Sequence, residues 1–211
     1  MIEKANVLGK PIVTAIQMLG PASPRPTSAE ATDVTNAVLE GTDCVMLSGV
    51  TAAEAHPETV VRTMSRLCKE AEDSIDYKAL HMKIKRAVWR PLSKIERTAA
   101  SAATSVAPKM KAKAIVVVAK SGFKADFVAK YRPSIPILWV VNPECPDSEA
   151  SHGLVYRGII PLMGSGASKS TEELITFGVE VLGKEEICKV GDLVVAMQLS
   201  SGCPFMPLLW V

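Results

Sequence analysis

The sequence predicts an α/β fold in two parts, each built from strands that alternate with helices. Short apolar runs at Pro11–Met18, Asp43–Leu47, Ala114–Ala119, Ile135–Val141 and Leu193–Met197 have the near-continuous hydrophobicity of strands buried on both faces of a parallel sheet. Helix-start signals stand between them, with Thr27 before Glu30, Ser93 before Glu96, and an acidic first turn at Thr171-Glu172-Glu173. A mixed basic stretch over about 76–92 reads as a linker between the two parts.

In the first part, Ile12, Val13 and Ala15 follow Gly9 and Pro11 as a short buried strand. Pro26 and the Thr27/Glu30 pair then open a helix whose buried face is Ala31, Val34, Ala37 and Val38. Asp43–Leu47 is the second strand, and Ser48, Gly49 and Thr51 sit where it empties into a loop. A helical stretch runs from Pro57 to Asp76–Lys78. Beyond the linker, Ile95, Ala99, Ala102, Ala103 and Val106 give a small-residue helix able to pack closely on a sheet. The strand Ala114–Ala119 enters a turn at Lys120-Ser121-Gly122, and a helix follows from Lys124 to Tyr131. Pro133 and Pro136 introduce the next strand, Leu154–Leu162 reads as a third strand or a strand with a turn, a helix spans Thr171 to about Gly183, and Leu193–Met197 closes the series. Alternation of this kind implies a mostly parallel sheet covered on both faces.

Composition narrows the function classes. A chain of 211 residues with 48% hydrophobic and 22% charged content is an ordinary globular protein of one or two domains. A net charge of +2, with three Trp and three Tyr, argues against a nucleic-acid partner. The cluster Lys83, Lys85, Arg86 and Arg90 reads either as a solvated linker face or as a contact for an acidic partner or neighbouring subunit. Cys44, Cys68, Cys145, Cys188 and Cys203 show no CxxC spacing and no paired histidines, which opposes a zinc site or disulfide scaffold and fits a reducing compartment. Met1–Gly9 contains Glu3 and Lys4 and is no signal peptide, and no run approaches the ~20 apolar residues of a membrane span. A cytoplasmic protein without a membrane partner is expected.

Lys120, Ser121, Gly122 and Lys124 form the candidate anion site, because a strand-to-helix loop presents free amides and a positive dipole end that lysines and a hydroxyl complete. The plain alternative is a turn with exposed lysines. His56 reads as a turn residue, His81 as a linker residue and His152 as a surface residue. Gly164-Ser165-Gly166 falls short of a nucleophile elbow, and no common nucleotide-binding loop occurs.

The text KPIVTAIQMLGPASPRPTSAEATDVTNAVLEGTDCVMLSGVT over residues 10–51 resembles the late barrel domain of pyruvate kinases. TAASAATSVAPKMKAKAIVVVAKSGFKADFVAKYRPSIPILWVV, over 98–141, resembles their carboxy-terminal domain. The resemblance covers about residues 3–197, while the tail Ser200–Val211 diverges. It implies an α/β fold of two terminal βα units of a TIM-type barrel (1–85) followed by a three-layer α/β carboxy-terminal domain (86–211). It also implies a glycolytic phosphotransferase that converts phosphoenolpyruvate and ADP to pyruvate and ATP, with Mg and K as cofactors. The family's catalytic lysine, magnesium carboxylates and potassium ligands lie upstream of this chain, so the metal ligands and a catalytic set are expected to be absent from it. Ile16 occupies the family's active-site threonine position, Val50 replaces a glutamate, and Gln17-Met18-Leu19-Gly20-Pro21 is two residues short. Thr14, two residues before Ile16, is displaced by about 7 Å along a regular strand. The resemblance places a subunit contact at Arg25 and Thr27, and a sugar phosphate effector at Lys120, Ser121, Gly122 and Lys124.

Two readings follow. One is a pyruvate kinase-like phosphotransferase, inactive as this chain alone. The other is a non-catalytic interaction or phosphometabolite-sensing protein built from the carboxy-terminal domain. A closed barrel needs about 250 residues, so the strands Pro11–Met18 and Asp43–Leu47 carry an unpaired apolar edge. We therefore expect a homo-oligomer or association with full-length relatives. Light scattering should show self-association or aggregation, and a monodisperse monomer would refute it.

Overall fold

The computed structural model describes residues 1–15, 26–47, 57–87, 94–119, 123–141, 147–164, 170–198 and 208–211. It contains two compact units, Met1–Asp76 and Tyr77–Val211.

The first unit holds α1 (Ile2–Leu8), β1 (Val13–Thr14), α2 (Ser28–Glu40), β2 (Cys44–Val45) and α3 (Pro57–Asp73). Helix α2 begins where its sequence signal lies. The Thr27 backbone N–H donates to Glu30 Oε2 at 2.7 Å while the Glu30 N–H donates back to Thr27 Oγ1 at 3.3 Å, closing the capping box. It ends at Gly41, whose φ of 99° suits glycine, and whose missing Cβ leaves room for the Asn6 side chain. Asn6 Nδ2 then donates to the Gly41 carbonyl at 3.0 Å, which ties α1 to the end of α2. Val34 and Ala37 of α2 pack with Val60 and Met64 of α3, joined by Val45 and Leu47. Strands β1 and β2 pair in parallel, Val13 opposite Cys44. Both are shorter than expected among the described residues, and Val13 is 47% exposed rather than buried. A two-stranded sheet covered by two helices leaves one side of its strands in water.

The second unit corrects the linker. Residues Tyr77–Ala87 form a helix, α4, and α5 spans Lys94–Lys109. Leu80, His81 and Ile84 turn inward on α4 while Lys78, Lys83, Lys85 and Arg86 face outward. The cations made the segment read as solvated coil, yet its apolar stripe suffices to dock it. Helix α4 thus falls in the second unit, whereas a boundary at 85 cuts it near its end.

A five-stranded sheet follows, ordered β5-β4-β3-β6-β7. Its strands are β3 (Ala114–Ala119), β4 (Ile137–Val141), β5 (Ile159–Met163), β6 (Leu193–Gln198) and β7 (Leu208–Trp210). Helices α6 (Phe123–Lys130), α7 (Asp147–Gly153) and α8 (Thr171–Lys184) connect them. The first four strands are parallel, and β7 pairs antiparallel to β6. Alternation sorts the strand side chains into two layers. Ile115, Val117, Ile137, Trp139 and Val141 meet Ala100, Ala103 and Ala107 of α5 and Val128 of α6. Val116, Val118, Leu138, Val140 and Val194 meet Leu174, Ile175 and Leu182 of α8.

The third strand runs Ile159–Met163 and residues 154–158 turn, the strand-with-a-turn form of the expectation. The divergent tail supplies β7, which local sequence did not show. Helix α8 opens at Ser170, whose Oγ accepts from the Glu173 N–H at 3.2 Å. The expected Ser93/Glu96 cap lies outside the described residues.

Gly178 sets how closely α8 approaches the sheet. A Cβ there would lie 2.8 Å from Val140 Cγ2 and 3.2 Å from Val116 Cγ1, both on stiff β-branched core residues. Overpacking costs about 1–3 kcal/mol and the gain in helix propensity returns about 1 kcal/mol. Gly178→Ala should therefore lower stability by about 1 kcal/mol in urea unfolding; an equal or higher midpoint would show that the layers part freely.

Candidate functional site

In the second unit the chain runs from β3 through β4 to β5 on one side, and β6 lies on the other side of β3. This makes the carboxyl ends of β3 and β6 the topological switch point, where open α/β sheets hold ligands. Strand β3 ends at Ala119 and α6 begins at Phe123, so the candidate anion loop leaves the sheet at this switch point. Lys120, Ser121 and Gly122 lie outside the described residues. Lys124 belongs to the first turn of α6. Two neighbouring features are described. Gln198, at the end of β6, donates from Nε2 to Thr171 Oγ1 at 3.0 Å, bringing the start of α8 to the same end of the sheet. Asp126 stands in the first turn of α6, where a carboxylate already complements the helix dipole and weakens the attraction for an outside anion.

The first unit answers the question of Thr14. Its Oγ1 donates to Thr42 Oγ1 at 2.7 Å. Thr42, 3% exposed, sits 3.1 Å from the Ile12 carbonyl and 2.9 Å from the Cys44 carbonyl, sharing its single proton between them. Asp43 Oδ2 accepts from the Ile12 N–H at 3.0 Å. These bonds lock the entry to both strands. The Thr14 hydroxyl is committed to structure; Ile16, Arg25 and Val50 lie outside the described residues. Thr27 is exposed, and its hydroxyl donates to Glu30 Oε2 at 2.7 Å within the α2 cap.

Among the described residues, no group of three or more His, Cys, Asp or Glu is placed to hold a metal ion. The described residues therefore offer no carboxylate cluster for the magnesium that the resemblance implies, and no chemical step is routed through either implied ion. Cys44, Cys68 and Cys188 stand outside any disulfide. Burial, and then the Asp192 carboxylate, push the Cys188 thiol up from its ordinary value against a weaker opposing effect of Lys113, which leaves it an unreactive core residue. Cys145 and Cys203 lie outside the described residues.

The histidines divide. His152 is on the surface as expected, and His56 lies outside the described residues. His81, read as a linker residue, is instead 8% exposed on α4. Its spacing between Leu80 and Ile84 was the available signal. No described helix is long and apolar enough to cross a membrane.

A model of the pyruvate kinase barrel domain matches residues 1–61, and one of the pyruvate kinase alpha/beta domain matches residues 97–203. The chain belongs to the pyruvate kinase family. A cytosolic pyruvate kinase isozyme from Glycine max is 49% identical over 93% of this chain and 42% of the relative. A pyruvate kinase from Dictyostelium discoideum is 42% identical over 92% of this chain and 38% of its own length. A crystal structure of a Cryptosporidium parvum pyruvate kinase superposes with a TM-score of 0.91 at 36% identity, covering 99% of this chain and 41% of that one. The chain thus spans about two fifths of these pyruvate kinases, combining the end of the barrel with the α/β domain.

Proposed function

We propose that this chain is the late-barrel and carboxy-terminal portion of a glycolytic pyruvate kinase-type phosphotransferase of the cytosol, and that it does not turn over by itself. The substrates of the whole assembly would be phosphoenolpyruvate and ADP, with magnesium and potassium as its cofactors. Phosphoryl transfer rests on positioning and on neutralising the charge of the transferred group. The observation that carries the reading is that the Thr14 hydroxyl is committed to Thr42, while the sequence has isoleucine at position 16, where the resemblance expects a threonine. Activity would require the catalytic residues that the family carries in its upstream barrel part. The exposed β1–β2 edge and the Arg25–Thr27 segment are the proposed contacts, with a full-length relative or a second copy as partner. Purified chain with phosphoenolpyruvate, ADP, magnesium and potassium should form no pyruvate above a buffer blank. Clear turnover would overturn the proposal and require a catalytic set within these residues.

The switch point at β3 and β6 favours a second reading, in which the α/β domain senses a phosphorylated metabolite through Lys120, Ser121, Gly122 and Lys124. Calorimetry with a sugar bisphosphate should then show binding that falls at least tenfold in Lys120→Ala/Lys124→Ala. The absence of binding to the unaltered chain would leave the loop as a plain strand-to-helix turn.

A further inference from the structure

Three elements converge on the His81 imidazole. Its own helix, α4, contributes Leu80 and Ile84, which pack into the layer formed by the alanines of α5 and by Val128. From α5, Ser105 Oγ lies 3.1 Å from His81 Nε2. From the turn after α6, the Tyr131 ring sits with its centroid 5.4 Å from the imidazole, tilted by 44°. The other ring nitrogen, Nδ1, is buried with no partner in hydrogen-bond geometry.

The surroundings suit a neutral ring and oppose a charged one. A hydroxyl adapts to either role at Nε2; Nδ1 is buried with no partner in bonding geometry, and the nearby Tyr131 backbone, which favours the charged ring, is outweighed by burial. The charge acting on the ring is the Lys85 ammonium, one turn along α4, and it repels a proton. From α5, the polar group at the ring is the neutral Ser105 hydroxyl. Burial lowers the His81 pKa from its ordinary 6.5, and Lys85 adds to this, while the Tyr131 backbone opposes it.

We propose that helix α4 is a proton-released clasp, held against α5 and the end of α6 while His81 is neutral and loosened when its imidazole gains a proton. The sign follows from linkage. Undocked, His81 titrates near its ordinary value of about 6.5; docked, it titrates lower, so the undocked helix binds more protons on acidification. Docking is at full strength above about pH 6.5 and weakens below it, by at most about tenfold per pH unit. The weakening stops once the docked ring is protonated as well. Release uncovers Leu80 and Ile84 while the sheet beneath stays formed.

Amide hydrogen exchange on the full chain at pH 7.5, 6.5 and 5.5, corrected for intrinsic rates, tests this. Protection over Tyr77–Ala87 should fall several-fold from pH 7.5 to 5.5 relative to β3 and β4. In His81→Gln that pH dependence should vanish. The His81 ring, followed by NMR in the unaltered chain, should titrate below 6.5, which decides the matter even if the variant does not fold. Titration at or above 6.5, α4 protection independent of pH, or protection lost from α4 and the central strands together would each overturn the clasp.

Discussion

The second unit depends on one constraint: β3, β4 and β6 are parallel strands buried on both faces, so every residue of β3 must satisfy one of two helical layers. A slip of one residue would turn each side chain to the opposite layer, exchanging Val117 and Val116 between the alanine-lined face of α5 and the leucine-lined face of α8. The small residues respond to the same constraint. Ala100, Ala103 and Ala107 let α5 lie close, and Gly178 does so for α8. Close layers leave little slack in interiors packed as densely as crystals. The carboxyl ends of the strands are thereby fixed, and with them the point where the chain leaves β3 for α6.

The first unit works with much less. Its two-stranded sheet leaves Val13 and Met46 each nearly half exposed. Order at the strand entries comes from polar bonds, Thr14 to Thr42, Asp43 to Ile12 and Asn6 to Gly41. Such bonds contribute about 0.5–1.5 kcal/mol each, enough to fix register but not to replace missing apolar cover. That shortage agrees with a chain that spans 42% of its Glycine max relative.

His81 shows how a single buried titratable group can couple a helix to its surroundings. Helix α4 is strongly cationic outside and narrowly apolar inside, so its attachment rests on few contacts. A histidine among those contacts makes the attachment answer to protons, because desolvation disfavours its charged form. Cys188 is subject to the same desolvation with a different outcome, since a thiol pushed upward stays neutral near pH 7 and changes nothing.

What the sequence determined was local. The β3 run, the Thr27/Glu30 cap and the acidic start of α8 each carry their signal within a few residues, because strand burial and helix capping are decided by near neighbours. The motif order that marks the family is likewise a linear property, and so is Ile16 in place of a threonine. Only tertiary structure decided the rest. Strand β7 exists because Leu208–Trp210 finds Leu193–Val195 across a long stretch of chain. Helix α4 is a docked element because α5 and Tyr131 offer its stripe a surface, and the Thr14 hydroxyl is occupied because folding brings Thr42 to it. The Leu80–Ile84 spacing marks an inward stripe, but which surface that stripe covers, and with it the setting of His81, depends on residues distant in the chain.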